Sequence, residues 1–419
     1  MGMTLGEKIL CRASNNQKVT AGQIVTANVD LCMSNDGTSH ITINMFENQI
    51  KHKVIHNPDN TIFIADHFMP SDSVETANIH KIMRDFTNKY QIKFHEGDGV
   101  CHQIMIESYV QPGTLVAGAD SHTCSYGALG AFGIGVGSTD FLYAMVTGTT
   151  WLMVPESIKI KLKGNLKKGV FARDLMLSII GEIGANGANY KIMEFSGEAV
   201  DNFSMNDRIV LCNLAIEAGA KTGLMEPNQV VEDYLKNNRT DYREGVYLKA
   251  DEDGVYCKEL SYNLDEIVPV IARPHCIDDV VPVSECEGIK FHQGFIGSCS
   301  NGRIEELRVA ASILKGKKVA KDVRLIITPA SNKVYLQALK EGLINILSEA
   351  GAMIMNPNCS VCWGSCQGVI GENEVLLSTG TRNFKGRCGP ASSKVYLSSA
   401  ATVAASAIRG EICDPREVL

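Results

Sequence analysis

Residues 114–127, TLVAGADSHTCSYG, combine a short apolar run with a polar, glycine-containing loop. A short apolar run at 115–117 is typical of a buried strand, and it leads directly into a polar loop with aspartate and histidine. The same order recurs in TIFIADHFMPS (61–71) and GFIGSCSNGR (294–303). Because ligand-binding groups of open α/β sheets collect at the carboxyl ends of strands, we predict an α/β protein with largely parallel sheets.

The apolar patterns between these loops predict the remaining elements. Strands are expected at 23–31, 61–64, 115–117, 157–162, 323–327 and 352–355. Helices are expected at 73–90, 172–183, 207–220, 302–314 and 333–350. A chain of 419 residues is too long for one ordinary domain, and composition changes divide it into domains at 1–155, 156–285 and 286–419.

The composition argues against several classes of protein. The formal net charge is −7, from 40 Lys and Arg against 47 Asp and Glu, with no basic stripe, so no nucleic-acid partner is expected. A run of about 18 apolar residues, as a membrane span requires, is missing, and the N-terminus lacks the core of a secretory signal. We therefore expect no membrane partner and a cytoplasmic location. Fourteen cysteines in such a chain indicate reduced thiols and metal binding.

Three cysteines are candidate metal ligands: Cys359 and Cys362 form a C-x-x-C pair, and Cys299 lies about 60 residues upstream. A fully ligated [4Fe–4S] cluster needs four protein ligands, so three would leave one iron open for chemistry. Cys366 lies four residues after Cys362 and could instead complete a zinc site. A redox motif or a chance pair also remains open at this stage.

Four of the ten histidines stand out by their surroundings: His40, His67, His102 and His122. Several have an acid nearby in the sequence, and a carboxylate on a ring N–H determines the tautomer and raises the basicity of the other nitrogen. A lone histidine is more often structural, but several such loops beside a cysteine group favour a functional role for the set.

Two arginines, Arg382 and Arg387, lie five residues apart in a polar loop bounded by glycines. The guanidinium group binds carboxylates through two parallel hydrogen bonds, which suits an acidic substrate. The alternative is a solvated surface loop.

Glycines at 133, 135 and 137 resemble part of a dinucleotide-binding fingerprint. The third glycine of that fingerprint would fall at Ser138, and neither the strand nor the acidic residue of the complete unit is evident. We interpret these glycines as positions that allow close packing beneath a site.

Taken together, four motifs resemble the aconitase superfamily, across essentially the whole chain and in the family's order. They are GADSHTCSYGALGAFGIGVGSTD (118–140), IGSCSNGRIEELR (296–308), the C-x-x-C pair and TRNFKGR (381–387). Within that superfamily, the length and the start of the chain resemble separate large subunits of the isopropylmalate isomerase, homoaconitase and 2,3-dimethylmalate dehydratase type. The resemblance implies three α/β/α domains around one [4Fe–4S] cluster. It also implies removal of water from a hydroxy di- or tricarboxylate, with re-addition at the neighbouring carbon.

The resemblance also implies roles for particular residues. The cluster ligands would be Cys299, Cys359 and Cys362. The catalytic acid–histidine pairs would be Asp66 with His67, Asp120 with His102, and Glu194 with His122. The substrate-binding residues would be His40, Asn301, Arg382 and Arg387. His67 would protonate the leaving hydroxyl group.

Some features depart from the superfamily's pattern. In its single-chain members a C-terminal swivel domain supplies a serine base and a further arginine, whereas this sequence ends at Leu419 without one. We therefore expect the chain to act only with a small swivel subunit. Thr381 stands where asparagine is usual, and WGSC (363–366) is atypical, which leaves the substrate open among 3-isopropylmalate, homocitrate-derived acids and 2,3-dimethylmalate. The alternatives from other classes are a cluster-free RNA-binding protein and a structural zinc or electron-transfer protein.

Overall fold

Helices and strands alternate along the chain, as predicted, in the computed structural model, which describes residues 2–240, 242, 245–364 and 366–419. The chain divides into two units. Unit 1 lies within Met1–Glu96, Cys101–Lys163 and Ala188–Tyr262, and unit 2 lies within Gly97–Val100, Gly164–Gly187 and Asn263–Leu419. The division at 1–155, 156–285 and 286–419 stays a prediction.

The secondary structure consists mainly of short elements. The strands are β1 (Ile24–Asn28), β2 (Leu31–Asn35), β3 (Thr61–Ala65), β4 (Lys93–Glu96), β5 (Leu115–Gly118), β6 (Phe132–Gly135), β7 (Thr149–Met153), β8 (Ser157–Lys163), β9 (Ile192–Ser196), β10 (Thr222–Met225), β11 (Lys258–Asn263), β12 (Val270–Ala272), β13 (Val280–Pro282), β14 (Gln293–Ile296), β15 (Arg324–Ile327), β16 (Met353–Ile354), β17 (Val375–Ser378) and β18 (Lys394–Leu397). The helices are α1 (Leu5–Ala13), α2 (Ser39–Gln49), α3 (Val74–Tyr90), α4 (Cys101–Ser108), α5 (Ser138–Thr147), α6 (Ala172–Ile183), α7 (Glu198–Asp201), α8 (Met205–Leu214), α9 (Gln229–Asn238), α10 (Ser298–Asn301), α11 (Ile304–Leu314), α12 (Asn332–Lys340), α13 (Leu343–Glu349) and α14 (Ala400–Arg409).

Unit 1 is organised by a parallel five-stranded sheet in the order β4-β3-β2-β5-β6. It also contains a four-stranded sheet, β10-β9-β8-β11, and the antiparallel pair β1-β7. Strand β3 is buried at every position, as expected for a parallel strand covered on both faces. Phe63 from this strand packs with Phe86 of α3, which in turn meets Phe46 of α2 edge-on at 5.4 Å between ring centres. This core holds the carboxyl ends of β2, β3 and β5 at one edge of the sheet.

Unit 2 contains a seven-stranded mixed sheet in the order β13-β12-β18-β17-β14-β15-β16. The strands from β18 to β16 are parallel, and β12 pairs antiparallel with β13 and β18. Its buried core includes Leu307 of α11, Leu325 of β15 and Val403 of α14. In the part of the chain that the structure describes, no helix has the length and apolar character needed to cross a bilayer.

Three predicted elements are divided in the structure. The strand predicted at 23–31 ends as β1 at Asn28, and its last residue, Leu31, begins β2; between the two strands the Asp30 carboxylate accepts the backbone N–H of Leu115 at 2.8 Å. The helix predicted at 333–350 is two helices, since Gly342 adopts a left-handed φ of 72° between them. The helix predicted at 207–220 becomes a 3₁₀ turn after Leu214.

Candidate functional site

Several histidine–carboxylate pairs lie in unit 1. His67 Nδ1 is 2.7 Å from Asp66 Oδ1, in the loop after β3. His102 Nε2, in the first turn of α4, is 2.8 Å from Asp120 Oδ1, in the loop after β5. The predicted pairings of Asp66 with His67 and of Asp120 with His102 are therefore confirmed as contacts. The parallel sheet explains the arrangement, because neighbouring parallel strands end at the same edge.

His67 is surrounded by negative charge. Its Nε2 lies 3.7 Å from Asp120 Oδ2, and its Nδ1 lies 3.8 Å from Asp36 Oδ1. Burial by itself lowers the pKa of His67, but the charge and hydrogen bond of Asp66 and the charges of Asp120 and Asp36 outweigh it and raise the pKa to about 10. The ring is thus an imidazolium at neutral pH, with a proton to donate.

Asp120 joins all three histidines of this group. Its carboxylate contacts the rings of His102 and His67 and accepts the backbone N–H of His122 at 2.8 Å. Burial alone raises the pKa of Asp120, but the positive charges of the histidines and the hydrogen bond from His102 keep it well below the usual range. Asp120 is therefore an anion whose charge stabilises the protonated form of His67.

Glu194 does not pair with His122, so that prediction is wrong. The Glu194 carboxylate instead accepts the backbone N–H groups of Leu5 and Gly6 at 3.2 and 3.0 Å. It also accepts the hydroxyls of Ser157 and Tyr256, both at 3.0 Å. Four donors thus satisfy this buried group at the first turn of α1, where a negative charge is favoured. A catalytic role for Glu194 stays a prediction.

Glu217 is the carboxylate that meets His122, at 3.0 Å between Oε1 and Nε2, and sequence reasoning missed it. Glu217 lies in the 3₁₀ turn Ala215–Ala218. The available signal was an acidic residue inside the apolar segment AIEAGA (215–220), where a charge needs a partner.

Two glycines bring β6 against the loop that carries Asp120. A Cβ atom on Gly133 would lie 2.0 Å from the carbonyl oxygen of Thr123, and one on Gly135 would lie 2.7 Å from that of Asp120. The interpretation of close packing beneath a site is confirmed at these two positions. Gly137 has open space around it, so packing does not explain this third glycine.

His40 lies at the start of α2, after the loop that follows β2. Its ring Nδ1 is buried, and no group in the described chain forms a hydrogen bond with it. A buried ring nitrogen of this kind can bind a polar group of a ligand. Substrate binding by His40 stays a prediction.

The three candidate cysteine ligands lie in unit 2 and are buried. Cys299 is in the short helix α10, directly after β14, while Cys359 immediately precedes the 3₁₀ turn Ser360–Cys362 and Cys362 ends it. Cys362 Sγ lies 3.7 Å from the hydroxyl of Thr381, the residue that departs from the superfamily's pattern. Cys366 is also buried, so the burial of these sulfurs alone does not choose among four possible ligands.

Arg173 is a buried cation close to these cysteines. It donates through Nη1 to Asn301 Oδ1 at 2.7 Å and to the Thr379 carbonyl at 2.8 Å. Burial lowers the pKa of Arg173 to about 10, and the thiolates of Cys362 and Cys299 act in the opposite direction. Because a buried guanidinium stabilises nearby thiolates, this set of residues fits a thiolate-bound iron–sulfur cluster.

Asn301 is occupied on both sides of its amide. Its Oδ1 accepts from Arg173, and its Nδ2 donates to Glu306 Oε1 at 3.0 Å. These contacts hold the backbone next to Cys299. Its predicted role in substrate binding stays a prediction.

Arg387 lies close to two aromatic rings. Its guanidinium carbon is 5.5 Å from the ring centre of Trp363 and 5.6 Å from that of Phe384. Stacking of this kind orients the fork of an arginine while leaving donors available. Arg382 and Arg387 are both partly buried, and the carboxylate-binding role of the two arginines stays a prediction.

Comparison with known proteins shows the family. The chain matches the model of the Aconitase family (aconitate hydratase) over residues 7–290 and 284–410. It therefore belongs to the aconitase family, as its motifs predicted.

Full-length relatives are similar along the whole sequence. The chain is 47% identical to a Methanopyrus kandleri protein named 3-isopropylmalate dehydratase large subunit 1, over all of both chains. It is 45% identical, again over all of both chains, to 3-isopropylmalate dehydratase large subunit 2 of Archaeoglobus fulgidus. It is 46% identical to the 3-isopropylmalate dehydratase large subunit of Aquifex aeolicus, over all of this chain and 98% of that one.

Among solved structures, Thermococcus kodakaraensis aconitase X in its holo-form is similar with a TM-score of 0.52 at 12% identity, covering 91% of this chain and 93% of that one. This likeness concerns the fold alone. It agrees with the predicted aconitase-like α/β class.

Proposed function

We propose that this chain is the large subunit of a 3-isopropylmalate dehydratase, a hydro-lyase that removes water from a hydroxy dicarboxylate and re-adds it at the neighbouring carbon. The substrate is suggested by relatives of that name at 45–47% identity along their full length. The observation that carries the chemistry is the buried His67 imidazolium held by Asp66, because dehydration needs a proton for the leaving hydroxyl group.

Cys299, Cys359 and Cys362 would hold one [4Fe–4S] cluster per chain. When bound, it would supply a Lewis acid at the iron that no cysteine ligates. The burial of the three sulfurs and the nearby guanidinium of Arg173 support this assignment. Cys366 is the alternative ligand that experiment must separate from these three.

The histidine–carboxylate group would manage protons and charge around an anionic substrate. His67 donates its Nε2 proton to the leaving hydroxyl, while Asp66 holds Nδ1 and keeps the ring oriented. Asp120 contacts the ring of His102 and accepts the backbone N–H of His122, which orients both histidines toward the same group.

Arg382, Arg387 and His40 are the proposed contacts to substrate carboxylates. The two aromatic rings near Arg387 support this role, because cation–π contacts orient the guanidinium. Asn301 would contribute indirectly, by holding the backbone beside Cys299.

A separate small subunit is the inferred partner, since the relatives are named large subunits. It would supply the base that removes the proton from carbon, as the resemblance to single-chain members implies. A cytoplasmic location and the lack of a nucleic-acid partner stay predictions.

The test is anaerobic reconstitution of the chain with iron and sulfide, followed by titration with the small subunit from the same genome. Consumption of 3-isopropylmalate, followed by the ultraviolet absorbance of the unsaturated product, should begin only when both subunits are present. Homocitrate-derived acids and 2,3-dimethylmalate are the comparison substrates. Higher kcat/KM on either of these would reject 3-isopropylmalate as the substrate, and full turnover by the chain alone would reject the two-subunit assignment.

A further inference from the structure

Asp36 is a buried carboxylate next to the proposed proton donor, in the loop after β2. Its Oδ1 accepts the backbone N–H groups of Asp66 and His67 at 3.2 and 2.8 Å, and its Oδ2 accepts that of Phe68 at 2.9 Å. Three consecutive peptide N–H groups therefore converge on one side chain. They belong to the loop that sets the direction of the His67 ring.

Asp36 is itself held by a second histidine. His80 of α3, only 2% exposed, has its Nε2 2.9 Å from Asp36 Oδ2. Its other nitrogen, Nδ1, lies 2.9 Å from the hydroxyl of Ser71. The ionised carboxylate accepts only, so Nε2 carries a proton and donates it to Asp36, while Nδ1 contacts the Ser71 hydroxyl. A hydrogen-bonded series thus runs from Ser71, which is exposed, through His80 to the buried Asp36.

We propose that Asp36 is the positioning residue for His67, holding the loop 66–68 through three backbone hydrogen bonds while His80 and Ser71 hold Asp36. The proposal rests on the proposed function, because it assigns the role of Asp36 in the protonation step. Misplacing a catalytic group by about 1 Å can cost about 100-fold in rate, so a residue that never contacts the substrate can still control turnover.

Electrostatics supports the same role. The charged groups that face the His67 ring are Asp66 on its own loop, Asp120 on the loop after β5, and Asp36 on the loop after β2. Burial by itself raises the pKa of Asp36, but the hydrogen bond from His80 and the charge of His67 lower it overall. Asp36 is therefore ionised, and its loss would make His67 release its proton at a lower pH.

Ser71, His80 and Asp36 have the residue types of a serine nucleophile triad, but their contacts are different. In such a triad the serine meets Nε2 and the carboxylate meets Nδ1, whereas here the two nitrogens are exchanged. Asp36 is also occupied by three peptide groups. The contacts therefore favour positioning over nucleophilic chemistry.

The experiment compares Asp36→Asn and His80→Gln with the matched control Asp85→Asn, which alters an exposed carboxylate on α3 paired with Lys81. Each variant is reconstituted with its cluster and the small subunit. Amide hydrogen exchange in the segment 61–71 is measured without substrate, and kcat, KM and the pH dependence of kcat are measured with it.

In the Asp36→Asn variant, the backbone amides of residues 66–68 should exchange hydrogen at least about 10-fold faster than in wild type. Its kcat should fall by about 100-fold, with little change in KM. The alkaline limb of its kcat–pH profile should move to lower pH, because His67 loses a neighbouring negative charge. His80→Gln keeps that charge, so it should show faster exchange and a smaller loss of kcat with the alkaline limb in place. Asp85→Asn should behave as wild type.

Normal exchange and normal kcat in Asp36→Asn would overturn the proposal, as would a lower melting temperature with kcat and the pH profile preserved. If Asp36→Asn does not fold, His80→Gln decides: faster exchange with lower kcat supports the proposal, and wild-type values of both reject it. Inactivity of the wild-type complex on 3-isopropylmalate would instead reject the proposed function. In that case, the amide exchange of residues 66–68 would still test whether Asp36 holds the loop.

Discussion

Glu217 Oε1 lies 3.0 Å from Nε2 of His122, although 95 residues separate them in the sequence. The backbone N–H of His122 is held by Asp120 at 2.8 Å, so this histidine lies between two carboxylates. Glu194, the sequence-based candidate for this contact, is occupied by four donors around the start of α1. The two glutamates therefore have different partners, a histidine for Glu217 and a helix terminus for Glu194.

The same substitution at these two glutamates should have opposite effects. Glu217→Gln should lower kcat of the assembled enzyme by about 10²-fold or more with a nearly unchanged melting temperature, because it removes the charge paired with His122. Glu194→Gln should leave kcat nearly unchanged and cost about 1–3 kcal/mol of unfolding free energy, because an amide cannot accept all four hydrogen bonds. Thermal unfolding and steady-state kinetics on both variants check this, and a reversed pattern would restore Glu194 as the partner in catalysis.

The protonation of His67 should determine the pH at which kcat falls on the alkaline side. Its folded pKa of about 10 lies above the ordinary value of 6.5, so the stabilisation from its carboxylate neighbours is complete below about pH 6.5 and is lost as pH rises through about 10. The kcat of the wild-type complex should fall near pH 10 as the proton donor is lost. His67→Asn should reduce turnover by about 10²–10⁴-fold at neutral pH while the visible absorption of the cluster is kept. A variant with near-normal turnover would show that His67 is structural.

Substitutions of the cysteines should separate cluster ligands from bystanders. Cys299→Ser, Cys359→Ser and Cys362→Ser should each abolish cluster reconstitution, measured as iron and sulfide per chain and as visible absorption. Cys366→Ser is the matched variant within the same segment and should load normally. If Cys366→Ser alone loses the cluster, the assignment of the three ligands is incorrect.

Arg173 should be needed for the geometry of the cysteine region. Arg173→Met would leave Asn301 Oδ1 and the Gly380 carbonyl without their buried donor, at a cost of about 1–3 kcal/mol for each unsatisfied group. We expect a lower melting temperature and faster loss of iron in air. Arg308→Met, which removes an exposed arginine paired with Glu341, is the control and should change neither measurement. Equal iron retention in the two variants would exclude a role for Arg173 at the cysteines.

The sequence by itself predicts those features of the protein that depend on residues close together in the chain. Short apolar runs followed by polar loops predicted the parallel α/β class, and the motifs predicted the aconitase family. Asp66 and His67 are adjacent in the chain, so their pairing needed no knowledge of the fold. Element boundaries depend on single residues that the apolar period does not report: a left-handed glycine at 342 divides what that period presents as one helix.

Tertiary structure decided every contact between distant segments. Glu217 reaches His122, Arg173 reaches Asn301 across 128 residues, and Asp36 meets His80 across 44 residues. The physical reason is that a buried charge must find a partner, but which partner it finds depends on strand order and on the direction of each loop at the edge of the sheet. Apolar periodicity in the sequence reports which side of an element is buried and carries no information about which other element lies against it.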